Sequence, residues 1–193
     1  MRADLNGDRR PERIRTAVSR GAPARCRVFL VVTSRSRTSF VALPSTLRVP
    51  KIYGVVNLGG NARRQILMIL DTGAVSDGFG AFVLDRGKVR RLHIAVPGSR
   101  DVLYVGGSGP ELLAAVCVDQ DGRHVVASEA LRNGTRYEVD RHIFRLVGDR
   151  LVQTSEQRLL NTDPKRFPEF QRAAREGFRG LTFSGCDLHL APQ

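Results

Sequence analysis

Oxygen ligands, an isolated carboxylate and three thiols are the residues of this chain that invite a chemical reading. Asp4, Asn6 and Asp8 stand at alternate positions around Gly7, a spacing that lets a tight loop turn hard oxygens inward toward a cation such as calcium. The same residues also suit a turn in which Asx side chains cap the backbone with no ion present. Asp71 ends an apolar run, Ile66 to Leu70, and is followed by Thr72 and Gly73. Cys26, Cys117 and Cys186 show no metal-ligand spacing, so zinc is not expected; two of them could close a long loop in an oxidising compartment, leaving the third odd. His93, His124, His142 and His189 have no evident nucleophile partner and read as sheet-surface residues. Gly106-Gly-Ser-Gly109 lacks the following Lys-Ser or Lys-Thr of a phosphate cradle, and Asn133-Gly-Thr135, a formal glycosylation acceptor, reads as a turn.

The elements that must hold these residues are strands. With 41% apolar residues the chain can bury a core, and no apolar run approaches the roughly 20 residues of a spanning helix. Three polar segments, starting at Asp4, Asn57 and Asp119, each empty into a strand, and Phe29, Phe82 and Phe144 follow these starts at a common distance of 25 residues. Each phenylalanine opens a short apolar strand, and after the last two come turns at Gly87 and Gly148, then further strands over Lys88 to Val96 and Arg150 to Glu156. The expectation is one all-β domain over 1–193, a β-propeller-like stack of about three antiparallel repeat units, 4–56, 57–118 and 119–160. A closing segment, 161–193, carries a short helix from Asp163-Pro to Glu176, with Phe167 and Phe170 packed on the sheet, and a last strand near Leu181 to Leu190.

The segment Asp4-Leu-Asn-Gly-Asp-Arg-Arg-Pro-Glu12 resembles the calcium loop of FG-GAP repeats, the blade motif of integrin-like propellers, and that of bacterial VCBS-repeat proteins. The resemblance implies a ligand set of Asp4, Asn6, Asp8, the Arg10 backbone carbonyl and Glu12 around a weak structural calcium. The second loop departs from the pattern, with Asn57, Gly59, Asn61 and Gln65 supplying no carboxylate, and Asp119-Gln-Asp-Gly-Arg123 is a shortened version. Membership implies a non-enzymatic scaffold in the extracellular space or cell envelope, with a secretion signal or lipobox upstream of this chain's start, presenting loops to a protein or polysaccharide. It also implies a disulfide between Cys117 and Cys186, with two buried thiols as the alternative; Cys26, in an apolar strand, reads as a buried thiol.

Ile66 to Ala74 is also similar to the catalytic turn of retropepsin-like aspartic proteases, where an apolar strand delivers Asp-Thr-Gly-Ala. Two such aspartates must share a proton, so this alternative requires a homodimer using Asp71, with Leu146-Val147-Gly148 as the downstream apolar element. The repeat offers a simpler reading of Asp71-Thr-Gly as a hairpin turn, because Asn133-Gly-Thr stands at the same offset in the third unit.

The net charge of +12 is almost all arginine, lysine occurring only at 51, 88 and 165. An anionic partner and a coding bias are the two explanations; the spread of arginines along the chain, with no basic stripe, favours bias and gives no specific nucleic-acid site. A basic module binding anionic polymers stays as the other alternative.

Overall fold

Residues 12–15 show in miniature why this chain forms sheet. Glu12 and Ile14 are buried while Arg13 and Arg15 face solvent, the two-residue period of a half-buried strand. The computed structural model describes residues 1–21, 28–35, 37–44, 47, 50–95, 101–108, 110–176 and 181–192. Its strands are β1 (Arg2–Ala3), β2 (Glu12–Val18), β3 (Val28–Thr33), β4 (Thr38–Ala42), β5 (Lys51–Val56), β6 (Gln65–Thr72), β7 (Ser76–Asp85) and β8 (Lys88–Arg91). They continue as β9 (His93–Ala95), β10 (Leu103–Ser108), β11 (Glu111–Asp119), β12 (Arg123–Asn133), β13 (Arg136–Val147), β14 (Arg150–Thr162) and β15 (His189–Leu190). One short helix, α1 (Pro168–Glu176), follows a 3-10 turn at Pro164–Arg166. The protein is thus mostly β, and no helix of the described residues is long and apolar enough to cross a membrane.

Two sheets result. The first is a four-stranded run β1-β2-β3-β4, and the second orders its strands β15-β5-β6-β7-β10-β11-β12-β13-β14-β9, with β8 on β7. Pairing between named strands is antiparallel except where β9 lies parallel to β14. Three stretches of sequential neighbours stand out: β1 to β4, β5 to β8, and β11 to β14. The first is a sheet by itself; the second and third share one sheet, joined by β10. No closed or propeller-like sheet is found among the described residues.

Strand β7 spans that junction. The first half of β7 pairs with β10, Gly78 opposite Tyr104, and its second half with β8, Leu84 opposite Val89. Gly78 is where the chains crowd: a Cβ there would lie 2.7 Å from a Val102 methyl and 2.9 Å from the Asp71 Cβ. Only glycine admits so close an approach of β6, β7 and β10 without displacement.

β6 and β7 are buried on both faces and form the wall between two cores. Ile66, Met68, Leu70, Phe82 and Leu84 face one core with Leu5, Ile14, Leu30 and Val55. Leu67, Phe79, Ala81 and Val83 face the other with Val105, Val125, Phe144 and Phe183. A strand buried on both faces reads as a continuous apolar run, as Ile66 to Leu70 does. The three phenylalanines all lie in the third strand of their runs, yet not at one position. Phe82 and Phe144 are buried opposite Ile66 and Val125, near the start of β6 and β12, while Phe29 is half-buried opposite Ala17, near the end of β2. Equal spacing in sequence is therefore not equal register, because the second and third strands of the runs meet at different offsets from the loops.

The C-terminal segment docks by specific bonds. Asp163 caps the 3-10 turn, accepting from the Lys165 N–H, and Phe170 is buried in the larger core. Glu169 is fully buried and accepts from the Arg141 Nε at 2.8 Å and the Ser128 hydroxyl at 2.7 Å, while Arg141 lies 5.0 Å over the Phe167 ring. The expected strand over 181–190 is shorter: only His189–Leu190 is strand, pairing β5, with a single bridge from Thr182 to Ala115. Cys117 and Cys186 are joined as a disulfide with Cα atoms 4.9 Å apart, and Asn57 N donates to the Cys186 carbonyl at 2.7 Å. Cys26, Gly109 and Gly177 lie outside the described residues.

Candidate functional site

The loop between β1 and β2 is built by its own side chains. Asp4 accepts from the backbone N–H groups of Gly7 and Arg9 at 2.8 and 2.7 Å, Asn6 from that of Asp8 at 2.8 Å, and Asp8 from that of Arg10 at 2.8 Å. Gly7 and Arg9 take positive φ, which closes the turn. Glu12, 2% exposed, accepts from the buried Leu5 N–H at 2.8 Å. The Asn6 amide reaches both the Asp8 and Glu12 carboxylates, at 3.3 and 3.2 Å. Burial pushes the Glu12 carboxyl above its ordinary value; the Leu5 N–H opposes this, and the charges of Asp8 and Asp4 add to the rise.

Chemically the loop offers three carboxylates, one amide and the Arg10 carbonyl, the donor types of a hard cation. Each side-chain acceptor already holds at least one backbone N–H. Among the described residues no group of three or more His, Cys, Asp and Glu side chains is gathered for a metal ion, so the carboxylates are supported by N–H groups and the Asn6 amide instead.

Asn57 to Gln65 repeats this frame without the charge. Leu58 N donates to Gln65 Oε1 at 2.7 Å, as Leu5 N does to Glu12, and Arg63 N donates to Asn61 Oδ1 at 2.9 Å, as Arg10 N does to Asp8. Leu58 and Gln65 are buried like Leu5 and Glu12, and Gly60 takes positive φ like Gly7. In the third turn Arg123 takes up the acid instead. It forks onto both Asp119 oxygens at 2.8 and 2.9 Å, reaches Asp187 at 2.7 Å, and donates to the Asn57 carbonyl at 3.0 Å. These bonds hold the Asp119 carboxyl below its usual range and raise Arg123.

The three segments adjoin. Arg64 N donates to the Leu5 carbonyl at 3.1 Å, and a Cβ on Gly7 would sit 2.8 Å from that of Ala62. A Cβ on Gly60 would stand 3.0 Å from that of Arg123. Clefts flank this row, one of about 610 Å³ lined by Asp4, Arg9, Arg64 and His189, another of about 260 Å³ lined by Arg63, Arg64, Asp85 and Arg90.

Asp71 is not part of this row. It closes β6 after a bulge, faces Gly78 on β7, and precedes a tight turn in which Gly73 N donates to the Ser76 carbonyl at 2.7 Å. Its oxygens accept from Thr72 N at 3.0 Å and from the Tyr104 hydroxyl at 2.8 Å. Gly148 and Asp149 turn the β13–β14 hairpin, and Val147, the last residue of β13, is exposed. His93 meets Asp101 at 3.0 Å and His142 lies 4.0 Å from Glu156. Sequence reasoning passed over Arg123, whose four-residue spacing from Asp119 was the available signal, and Arg37, which the fold sets beside the basic run Arg86-Gly-Lys-Val-Arg-Arg91. No protein-family model, curated protein or solved structure matches the chain.

Proposed function

We propose that this chain is a non-enzymatic, extracytoplasmic scaffold of the FG-GAP and VCBS kind, built from three degenerate blade-like units, whose first loop carries a weak structural calcium. The observation that supports this reading best is the shared frame of the first two loops. Two segments far apart in sequence tie the same backbone N–H to the same side-chain position, Leu5 to Glu12 and Leu58 to Gln65, and lie side by side. Asp4, Asn6, Asp8, Glu12 and the Arg10 carbonyl would hold the ion, which would supply positive charge beside the Glu12 carboxylate that burial otherwise penalises. The second loop has no carboxylate, and in the third Arg123 pairs with Asp119, so neither needs an ion. The disulfide supports an oxidising compartment.

Thermal unfolding with and without calcium tests the proposal. A site with a dissociation constant of about 1 mM at 10 mM calcium stabilises by about 1.4 kcal/mol. For a chain of this size that is a rise in Tm of about 3–6 °C. Asp8→Asn combined with Glu12→Gln abolishes the rise, and magnesium does not reproduce it. A wild-type Tm indifferent to calcium removes the ion from the reading.

A further inference from the structure

We propose that the groove where strand β4 of the first sheet meets β8 of the second binds an acidic polysaccharide. Among the described residues β4 ends its sheet and β8 pairs only with β7, and the Val89 N–H donates across the seam to the Ser39 hydroxyl at 2.9 Å. The groove between them has a volume of about 440 Å³, and Arg37, Arg86, Lys88 and Arg90 line it with Phe40. Lys88 and Arg90 are exposed on either side of buried Val89, so strand alternation sends both outward together. Arg37 comes from a segment far away in sequence, and its guanidinium lies 3.8 Å from where a Cβ on Gly87 would stand.

Two features separate this groove from an ordinary charged surface. All four cations are exposed, no acid lines the groove, and none of the four has an ion-pair partner among the described residues. The nearest carboxylate along the chain, Asp85, pairs in register with Lys88 but lines the neighbouring cleft. Four like charges that form no ion pair among the described residues are complementary to a polyanion, and guanidinium forks match sulfate and carboxylate groups. Phe40, 66% exposed and held edge-on against Phe29 at 5.9 Å, adds an apolar surface at the same place. Arg90 also lines the next cleft, where Asp85 and Asp149 stand among Arg63 and Arg64, so the acid-free basic lining is confined to the groove itself.

The choice of a polysaccharide over a nucleic acid rests on the extracytoplasmic reading above, and on the groove's single aromatic. Single-stranded nucleic acids are held on successive stacking rings, which this groove does not provide.

The test uses the full chain, a heparin-derived octasaccharide and an eight-nucleotide single-stranded DNA, with binding measured by calorimetry from 50 to 200 mM salt. Four released counterions give a slope of about −2.8 in log affinity against log salt, so wild-type binding to the octasaccharide weakens about 50-fold over that range. The variant R37Q/R86Q/K88Q/R90Q loses the binding and its salt dependence, while R132Q/R136Q/R150Q/R166Q, with the same change in net charge, keeps both. Equal losses in the two variants, or wild-type binding by the first, overturn the site. Tighter binding of the DNA through the same four residues overturns the polysaccharide assignment. Tm of each variant with and without calcium separates the two proposals: a groove variant that keeps the calcium response but binds no better or worse than wild type sinks the groove alone.

Discussion

Glu12 is the residue at which the calcium-loop reading exposes itself most. Its carboxylate is buried beside two others, and it alone satisfies the Leu5 N–H, itself in a residue only 1% exposed. Glu12→Ala leaves that N–H buried without a partner, which costs about 1–3 kcal/mol. Glu12→Gln retains an oxygen acceptor, and the second loop displays the outcome, since Gln65 holds the Leu58 N–H at 2.7 Å. The glutamine gives up a charge-assisted bond but removes a buried negative charge from the neighbourhood of Asp4 and Asp8, so in metal-free buffer at pH 7 it lies within about 1 kcal/mol of wild type. The expected gap between the two variants is about 2 kcal/mol, read as about 4–8 °C in Tm. The pH dependence has a definite sign. Because the folded carboxyl titrates above its ordinary 4.5, its contribution to stability is fully present below that value and is lost as pH rises through the folded value. Wild type therefore loses stability relative to Glu12→Gln between pH 4 and pH 7 without calcium, and calcium reverses the trend by holding the ionised form. Thermal melts at four or five pH values, with and without a chelator, measure all of this. Equal destabilisation by alanine and glutamine, or a pH-independent gap between wild type and Glu12→Gln, refutes the reasoning.

Three further outcomes follow from the packing. Replacing Cys117 and Cys186 by serine opens a cross-link between residues 69 apart, which the chain-entropy model puts at about 4 kcal/mol, measurable by urea unfolding, with a steeper slope for the opened chain because it exposes more surface when unfolded. Arg141→Met strips the fully buried Glu169 of its cation and costs about 3–5 kcal/mol; R141M/E169L costs less than the two single changes summed, which a double-mutant cycle reads directly. Asp71→Asn, near the end of β6 with a Tyr104 contact, shifts stability by about 1 kcal/mol or less, and peptide substrates incubated with either form show no cleavage that the change abolishes. Cleavage lost only in the variant would revive the dimeric protease.

Much of the local structure can be read from the chain itself. Alternation in Glu12 to Arg15, the unbroken apolar run Ile66 to Leu70, and glycines at 87, 134 and 148 with positive φ set strands and turns where the residues indicate. The Asp163-Pro pair starts the C-terminal helical segment, whereas Asp71 and Thr72 stay in β6 and only Gly73 opens the hairpin turn that Asp71-Thr-Gly suggested. These are short-range effects, fixed by side-chain period, backbone sterics and bonds between near neighbours.

The joining of strands over long distances is different, because backbone hydrogen bonds at a sheet edge are nearly blind to side-chain identity. Nothing local says that β7 takes β10 as well as β8, that β9 lies parallel to β14, or that Phe29 and Phe82 meet their partners at different points. Likewise the arginines look scattered along the chain, and only the meeting of two sheet edges sets Arg37 beside Arg86, Lys88 and Arg90, while Asn57 and Asp187 converge on Arg123. Side-chain alternation marks most of the strands and their apolar sides, although the strand expected over 181–190 shrinks to His189–Leu190. Which charges stand together is settled only on folding, since it depends on how apolar faces from distant segments find one another and carry their polar faces with them.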